Sequence, residues 1–233
     1  MACTSANEIE LPVVLESHPL KKSRLITVGH SNHDFGRFVQ LLHEAGITAV
    51  ADVRTHPSSQ RYPHFNRSEL QYRLQEEEIA YAFLGQQLGG RPANPQLYHG
   101  DGSVNYERVR QTKEFKQGIE RVCSASEDYT VALLCSEEDP IECHRGLMIS
   151  PALAERQMQP AHLRGDGSLE SMAEFEERLL AVTKVGKGIL DGMFATTLSD
   201  SDCQGLLREA YRLQAGRKAF RLRAVAPEET AEE

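Results

Sequence analysis

The sequence predicts an α/β fold, a single three-layer domain with a mostly parallel sheet and a helical C-terminal extension. Three short apolar runs of strand length support it: Leu25–Val28, Ile47–Val53 and Val131–Cys135. The first two flank a stretch of helical periodicity, and a β-α-β unit favours parallel strands joined by a right-handed crossover. The third breaks at Glu137, Glu138, Asp139 and Pro140, then resumes as Leu147, Ile149 and Leu153, spaced as in a helix. Strand, polar loop and helix in that order place reactive groups at the carboxyl end of a parallel sheet, where open α/β folds bind ligands.

Taken in order, residues 1–23 read as an N-terminal arm, with Pro12 weakening any strand at Leu11–Leu15. The α/β domain is expected over 24–183. Gly29-His30-Ser31-Asn32-His33 leaves the first strand, and Asp34 is placed to cap a helix, its side-chain oxygen accepting from free first-turn N–H groups. Phe35, Phe38, Val39, Leu41 and Leu42 share one face of that helix, and Gly46 is placed to end it. The second strand ends in Asp52-Val53-Arg54. Thr55–Arg67 is then a long loop punctuated by Pro57 and Pro63, a length often functional in compact domains. Ser68 is expected to cap a helix through Ile79, followed by an extended Ala80–Leu84 and a Gly89-Gly90 turn. One helix is expected over Tyr106–Ala125, a short strand at His162-Leu163, and helices over Leu169–Val182 and Asp200–Leu222. Residues 184–225 read as the helical extension, with Gly186, Gly188 and Gly192 marking a hinge, and 226–233 as an acidic disordered tail.

Bulk composition narrows the class. With 233 residues, 40% hydrophobic and 26% charged, the chain can bury a sizeable core. A net charge of −8 argues against a general nucleic-acid coat, which needs clustered cations, although a local basic groove stays compatible. No apolar run reaches the roughly 20 residues that span a bilayer. Met1–Glu10 lacks the features of a secretory signal, and five irregularly spaced cysteines do not form a disulfide framework. A reduced, cytoplasmic protein is the expectation.

The candidate chemistry lies between Cys135 and Arg145. A thiolate is the reactive form of cysteine, and its pKa falls beside a cation or a helix N-terminus. Cys143 is expected to open a helix beside His144 and near Arg145, whereas Cys135, at a strand end, can also be a small buried hydrophobe. His30, after the first strand, is expected at the same sheet edge, as a general acid or base or as a loop anchor. Cys143, His144, His30, Cys135 and Glu137 are therefore the candidate catalytic residues. Ser31, Asp52, Arg54, Arg61, Tyr62, Gly89, Gly90 and Arg145 are the candidate substrate-binding residues. Arg54–Arg67 holds three arginines, two histidines and no acid, interleaved with Tyr62 and Phe65. Such a loop suits a phosphate-bearing small molecule or a single-stranded nucleic acid, through charge and stacking, and it also suits an ordinary surface loop. Zinc is the second chemistry available to Cys135, Cys143 and His144, with His30 or His162 completing four ligands. Their spacing differs from familiar zinc modules and adjacent Cys and His rarely share an ion, so no metal ligand is assigned and the cofactor stays open.

Several of these pieces together resemble a known family, the bacterial and archaeal domain of unknown function 488. They are Thr27-Val28-Gly29-His30-Ser31, Asp52-Val53-Arg54 with Pro57 and Ser58, Leu88-Gly89-Gly90, Leu133–Glu137, Cys143-His144-Arg145 and Ala210-Tyr211. The resemblance runs from about residue 24 to 222. It implies an α/β fold with a parallel sheet and carries no settled reaction. Three functions stay open: an enzyme with a Cys/His/Arg site acting on a nucleotide or nucleic acid, a non-catalytic nucleotide- or nucleic-acid-binding module, and a redox sensor bridging Cys135 to Cys143. Glu142–Arg145 is also similar to the Pro-Cys-His-Arg motif of DNA alkyltransferases, but Glu142 replaces the proline and no helix-turn-helix reader follows.

Overall fold

The computed structural model describes residues 24–187 and 199–222. The N-terminal arm, most of the proposed hinge and the acidic tail lie outside the described residues. The elements are β1 (Leu25–Gly29), α1 (Phe35–Glu44), β2 (Ala49–Asp52), α2 (Arg67–Glu76), β3 (Ala80–Phe83), α3 (Gly85–Leu88), α4 (Tyr106–Gln111), α5 (Lys113–Asp128), β4 (Val131–Cys135), α6 (Ser150–Ala154), β5 (Ala161–Leu163), β6 (Leu169–Glu170), α7 (Met172–Thr183) and α8 (Asp200–Lys218). One six-stranded sheet runs β3-β2-β4-β1-β5-β6, parallel throughout except for the antiparallel edge strand β6. The architecture is the expected α/β one, with helices on both faces and a helical C-terminal part.

Burial explains the central strands. Every residue of β1 and β4 is buried, so each needs apolar side chains on both faces. On one face α1 and α2 pack Phe38, Leu41, Leu42, Leu70 and Leu74 against Ile26, Val28, Ala132 and Leu134. Each such side chain, fully buried, contributes about 1.5–3 kcal/mol. On the other face Phe115, Ile119, Val122, Leu147, Leu153, Phe175 and Leu179 cover Leu25, Val131 and Leu133. Asp34 caps α1 by accepting from the Arg37 amide at 2.8 Å, and Gly46, at φ 70°, ends it in a left-handed turn.

The helices expected to run through Ile79 and Leu222 end at Glu76 and Lys218, and four further differences from the sequence expectation have local reasons. Asn66, not Ser68, precedes α2, and its side chain accepts from Ser59 N at 2.6 Å instead of capping its own helix. The single helix expected from Tyr106 is two, because Thr112 leaves helical geometry to cap α5 through Phe115 N. Leu169–Glu170 pairs with β5 as a strand before α7 begins at a Ser171–Glu174 capping box. A short helix, α3, stands just before the Gly89-Gly90 turn, where no helix was expected.

The sheet order positions the site. β4 inserts between β1 and β2, so the two strands of the opening β-α-β unit are not neighbours. β1 leads into α1 on one face and β4 leads towards α6 on the other. Adjacent parallel strands whose connections leave in opposite directions open a crevice at their carboxyl ends. Here the crevice lies between Gly29 and Cys135, which are register partners. The two loops stay paired just beyond the strands, His30 N to Cys135 O at 3.0 Å and Ser31 N to Ser136 O at 2.9 Å.

Gly29 is glycine because the returning loop crosses it. A Cβ there would stand 1.8 Å from the Glu137 carbonyl oxygen. Gly29→Ala is therefore expected to cost about 1–3 kcal/mol by overpacking. The shift in urea midpoint measures it, and an unchanged midpoint would show that the 136–138 loop moves freely.

Candidate active site

The loops leaving β1, β2 and β4 enclose a cleft of about 600 Å³, within the range of small-ligand sites. Cys135, Glu137, Cys143 and His144 line it, together with His30, Ser31, Asn32, Arg54 and residues of the 55–62 loop. Cys135 is the last residue of β4, and Cys143 and His144 return to meet it. Asp139 starts that return: its side chain accepts from Ile141 N at 3.0 Å and opens a tight turn over Pro140–Glu142. Cys143 is then extended (φ −135°, ψ 146°) and His144 helical (φ −59°, ψ −25°). That change of backbone conformation lets two consecutive side chains approach one point.

His144 is held at both ring nitrogens. Its Nε2 lies 3.1 Å from Val53 O, and a carbonyl can only accept, so Nε2 carries a proton. Nδ1 then faces both sulfurs, at 3.7 Å from Cys135 Sγ and 3.7 Å from Cys143 Sγ. Gly90 makes room for the ring, since a Cβ there would sit 2.8 Å from His144 Nδ1. The Cys135 thiol donates to Glu137 Oε2 at 2.9 Å, while Cys143 Sγ accepts from Arg145 N at 3.4 Å.

This arrangement divides the two thiols. Burial raises the Cys135 pKa, and the nearby charges of Cys143 and Glu137 add to that. Burial also opposes ionisation of Cys143, but the neighbouring Cys135 and the charges of His144 and Arg145 outweigh it and hold the pKa well below that of an ordinary thiol. His144 is shifted up despite its burial, because an ionised Cys143 stabilises the imidazolium. Burial and the neighbouring Cys143 raise Glu137. The two thiols are thus shifted in opposite directions, Cys135 up and Cys143 down. Cys123 and Cys203 are also free thiols but lie outside the cleft.

The other candidate residues divide between cleft and scaffold. His30 lines the cleft, stacked 4.2 Å from Phe65, with Nδ1 donating to Ser31 O at 3.0 Å. Burial and the Arg54 charge lower its pKa to about 4, so at neutral pH it is a neutral ring whose Nε2 can only accept. Ser31, Tyr62 and Gly90 line the cleft too. Arg54 reaches it with part of its guanidinium already held by Asp52, through Nε at 2.9 Å and Nη2 at 2.6 Å. Asp52 itself is fully buried, binds Arg54 and the Tyr81 hydroxyl, and does not face the cleft. Its role is to fix the guanidinium.

Besides Asp52, three residues named from sequence as ligand contacts are placed elsewhere. Arg145 is 0% exposed, and its guanidinium donates to Glu137 O at 2.5 Å, Glu138 O at 2.6 Å and Thr27 Oγ1 at 3.3 Å. It holds the loop together from beneath. Arg61 is exposed and lies over the Tyr62 ring, outside the cleft lining. Gly89 packs under Thr55, where a Cβ would meet Thr55 Oγ1 at 2.4 Å.

Sequence reasoning missed the opposite wall. Arg91, Tyr106, Glu142, Lys218 and Phe220 line the cleft as well. Arg91 lies 4.6 Å over the Phe220 ring, and Lys218 pairs with Glu142. The basic end of the last helix was visible in the sequence, but nothing local placed it beside the distant loop that carries Glu142. Behind the cleft, Arg164 and Arg178 both bind Asp139 and Glu170, tying the reactive loop to the β5–β6 hairpin and α7.

Fold and site together define a class: a doubly covered, mostly parallel α/β protein with a thiol–imidazole–carboxylate cluster at its strand switch. Within that class, the model of the domain of unknown function DUF488 matches residues 34–150, half of the chain, and the protein belongs to that family. The match leaves out the loop after β1 and α8, which supply His30, Ser31, Asn32 and Lys218 to the cleft. No curated protein and no solved structure matches the chain. Among the described residues, no helix is long and apolar enough to cross a membrane.

Proposed function

We propose that the protein is an enzyme in which Cys143 acts as a nucleophile, His144 orients and proton-couples it, and a phosphate-bearing substrate lies along the Arg54–Tyr62 loop. The observation that carries this is the position of His144. One ring nitrogen is tied to the Val53 carbonyl and the other is aimed at two sulfurs that open on a cleft. A nucleophile beside a base that a third group orients is the recurrent arrangement of covalent catalysis.

The cleft walls support a polar, anionic substrate. Ser31, Asn32, Thr55, Ser58, Ser59 and Ser136 offer hydroxyl and amide partners, Arg54 and Arg91 supply cations, and Tyr62 supplies a ring for stacking. The cleft also holds Glu137, Glu138 and Glu142. The cations thus recognise a localised phosphate group and do not form a long electropositive track, which favours a nucleotide-sized ligand over a polymer.

Selective alkylation tests the nucleophile. In chelator-treated protein, limiting iodoacetamide is expected to modify Cys143 ahead of exposed Cys203, as read by peptide mass spectrometry. His144→Gln is expected to slow the Cys143 reaction on the order of tenfold while leaving Cys203 unchanged. Equal rates at the two cysteines would remove Cys143 from the nucleophile's role. Arg91→Ala, with its fold intact, is expected to weaken nucleotide binding in a calorimetric titration.

A further inference from the structure

We propose that Cys135, Cys143 and His144 form a zinc(II) site, with the fourth coordination position left to a water or small ligand from the cleft. All three residues are buried, and their donor atoms lie within 4.8 Å of one another. The distances suit the ion. A tetrahedral zinc with Zn–S near 2.3 Å and Zn–N near 2.0 Å separates sulfur from nitrogen by about 3.5 Å. Both sulfurs stand 3.7 Å from His144 Nδ1. An ion can enter with little movement of the ring.

The surroundings are also those of a metal ligand. A zinc-binding histidine usually donates its distal N–H to a carbonyl or carboxylate, which fixes the tautomer with the lone pair towards the metal. His144 Nε2 donates to Val53 O in this way. Two thiolates and an imidazole form a soft to borderline donor set that selects zinc over magnesium or calcium. Glu137 stands beside the set, bound to Cys135 Sγ, and can accept a hydrogen bond from a zinc-bound water. The sequence argued against a shared ion because adjacent Cys and His side chains rarely converge. The extended-to-helical break between Cys143 and His144 removes that obstacle.

Zinc binding deepens the functional reading, since the ion would take the electron pair with which Cys143 attacks. Binding releases the Cys135 proton and the proton that the imidazolium form of His144 carries on Nδ1, forms two Zn–S bonds and one Zn–N bond, and changes no oxidation state. The loaded protein is silent at Cys143 and the stripped protein reactive. This silencing rests on the nucleophile assignment above, whereas the zinc site itself does not.

The test uses the full chain purified without chelator. Elemental analysis is expected to find close to one zinc per chain, lost in Cys143→Ser and His144→Gln and kept in Cys203→Ser. Because the first two variants can misfold, the stripped wild-type protein is also titrated with cobalt(II). Intense visible bands of tetrahedral cobalt, with near-ultraviolet sulfur-to-cobalt charge transfer, support the site. Absence of both zinc uptake and those bands in the wild-type protein overturns it, as does undiminished zinc in a folded Cys143→Ser variant. The two readings separate in one further measurement. If zinc binds and the stripped protein shows no selective alkylation of Cys143, the nucleophile fails and the metal site stands; selective alkylation without any metal uptake gives the reverse.

Discussion

Replacing Arg145 with methionine is expected to lower the stability by about 3–5 kcal/mol. Methionine keeps much of the side-chain volume, so the loss comes from polar partners and not from a cavity. The guanidinium is fully buried and serves the carbonyls of Glu137 and Glu138 and the Thr27 hydroxyl. A hydrogen bond from a charged donor is worth about 1.5–3 kcal/mol, and the acceptors left behind keep their desolvation cost. The same substitution removes a cation that favours the Cys143 thiolate. Alkylation at Cys143 should therefore slow in the folded variant even at low temperature. Urea denaturation measures the first effect and peptide mapping the second. A midpoint shift worth less than about 1 kcal/mol would mean that water serves those carbonyls as well as Arg145 does.

Arg145 also shows what local sequence can and cannot say about this site. Strands β1, β2 and β4 were legible because each is a short apolar run, and Asp34 and Gly46 carry their capping roles in their own chemistry. That Cys135, Cys143, His144 and His30 share one edge followed from strands ending together. Which members of Cys-His-Arg face the cleft did not follow, because it depends on a backbone break of one residue. An arginine beside a reactive thiol reads as a substrate clamp, yet this one lies beneath the loop and Arg91 lines the cleft instead. Asp52 and Arg54 were named as substrate-binding candidates at a strand end. The sequence could not show that they bind each other and so take much of the guanidinium out of use. The insertion of β4 between β1 and β2 is likewise a long-range result, and it creates the crevice.

Acid is expected to unfold the protein in a window set by two histidines. His162 is fully buried, with Nδ1 2.8 Å from Thr27 Oγ1, its ring on Phe175 and Nε2 without a partner among the described residues. Burial, reinforced by the charges of Arg145, Arg178 and Arg164, lowers its pKa to about 3. His30 is lowered to about 4, by burial and then by Arg54. Both folded pKa values lie below the unfolded value of 6.5. Above pH 6.5 neither form binds the proton and these groups give no pH dependence. Below it the unfolded chain takes up protons that the folded chain refuses, so stability falls as pH falls. At about 1.4 kcal/mol per unit, each histidine removes about 2 kcal/mol by pH 5, or about 4 kcal/mol together. That is a large share of an ordinary domain's 5–15 kcal/mol. Asp139, lowered to about 2 with burial opposed by its bonds to Arg178 and Arg164, contributes in a separate and lower window, between about 3.8 and 2. Urea titrations from pH 8 to 4.5 should therefore show a descent that sets in below about 6.5, whereas above it the raised His144 and the lowered Cys143 act in opposite directions. His162→Asn, even if less stable at pH 8, should remove about half of the descent. A wild-type curve that stays level to pH 5 would mean that at least one of these rings accepts a proton in place, with water or a moving loop reaching it.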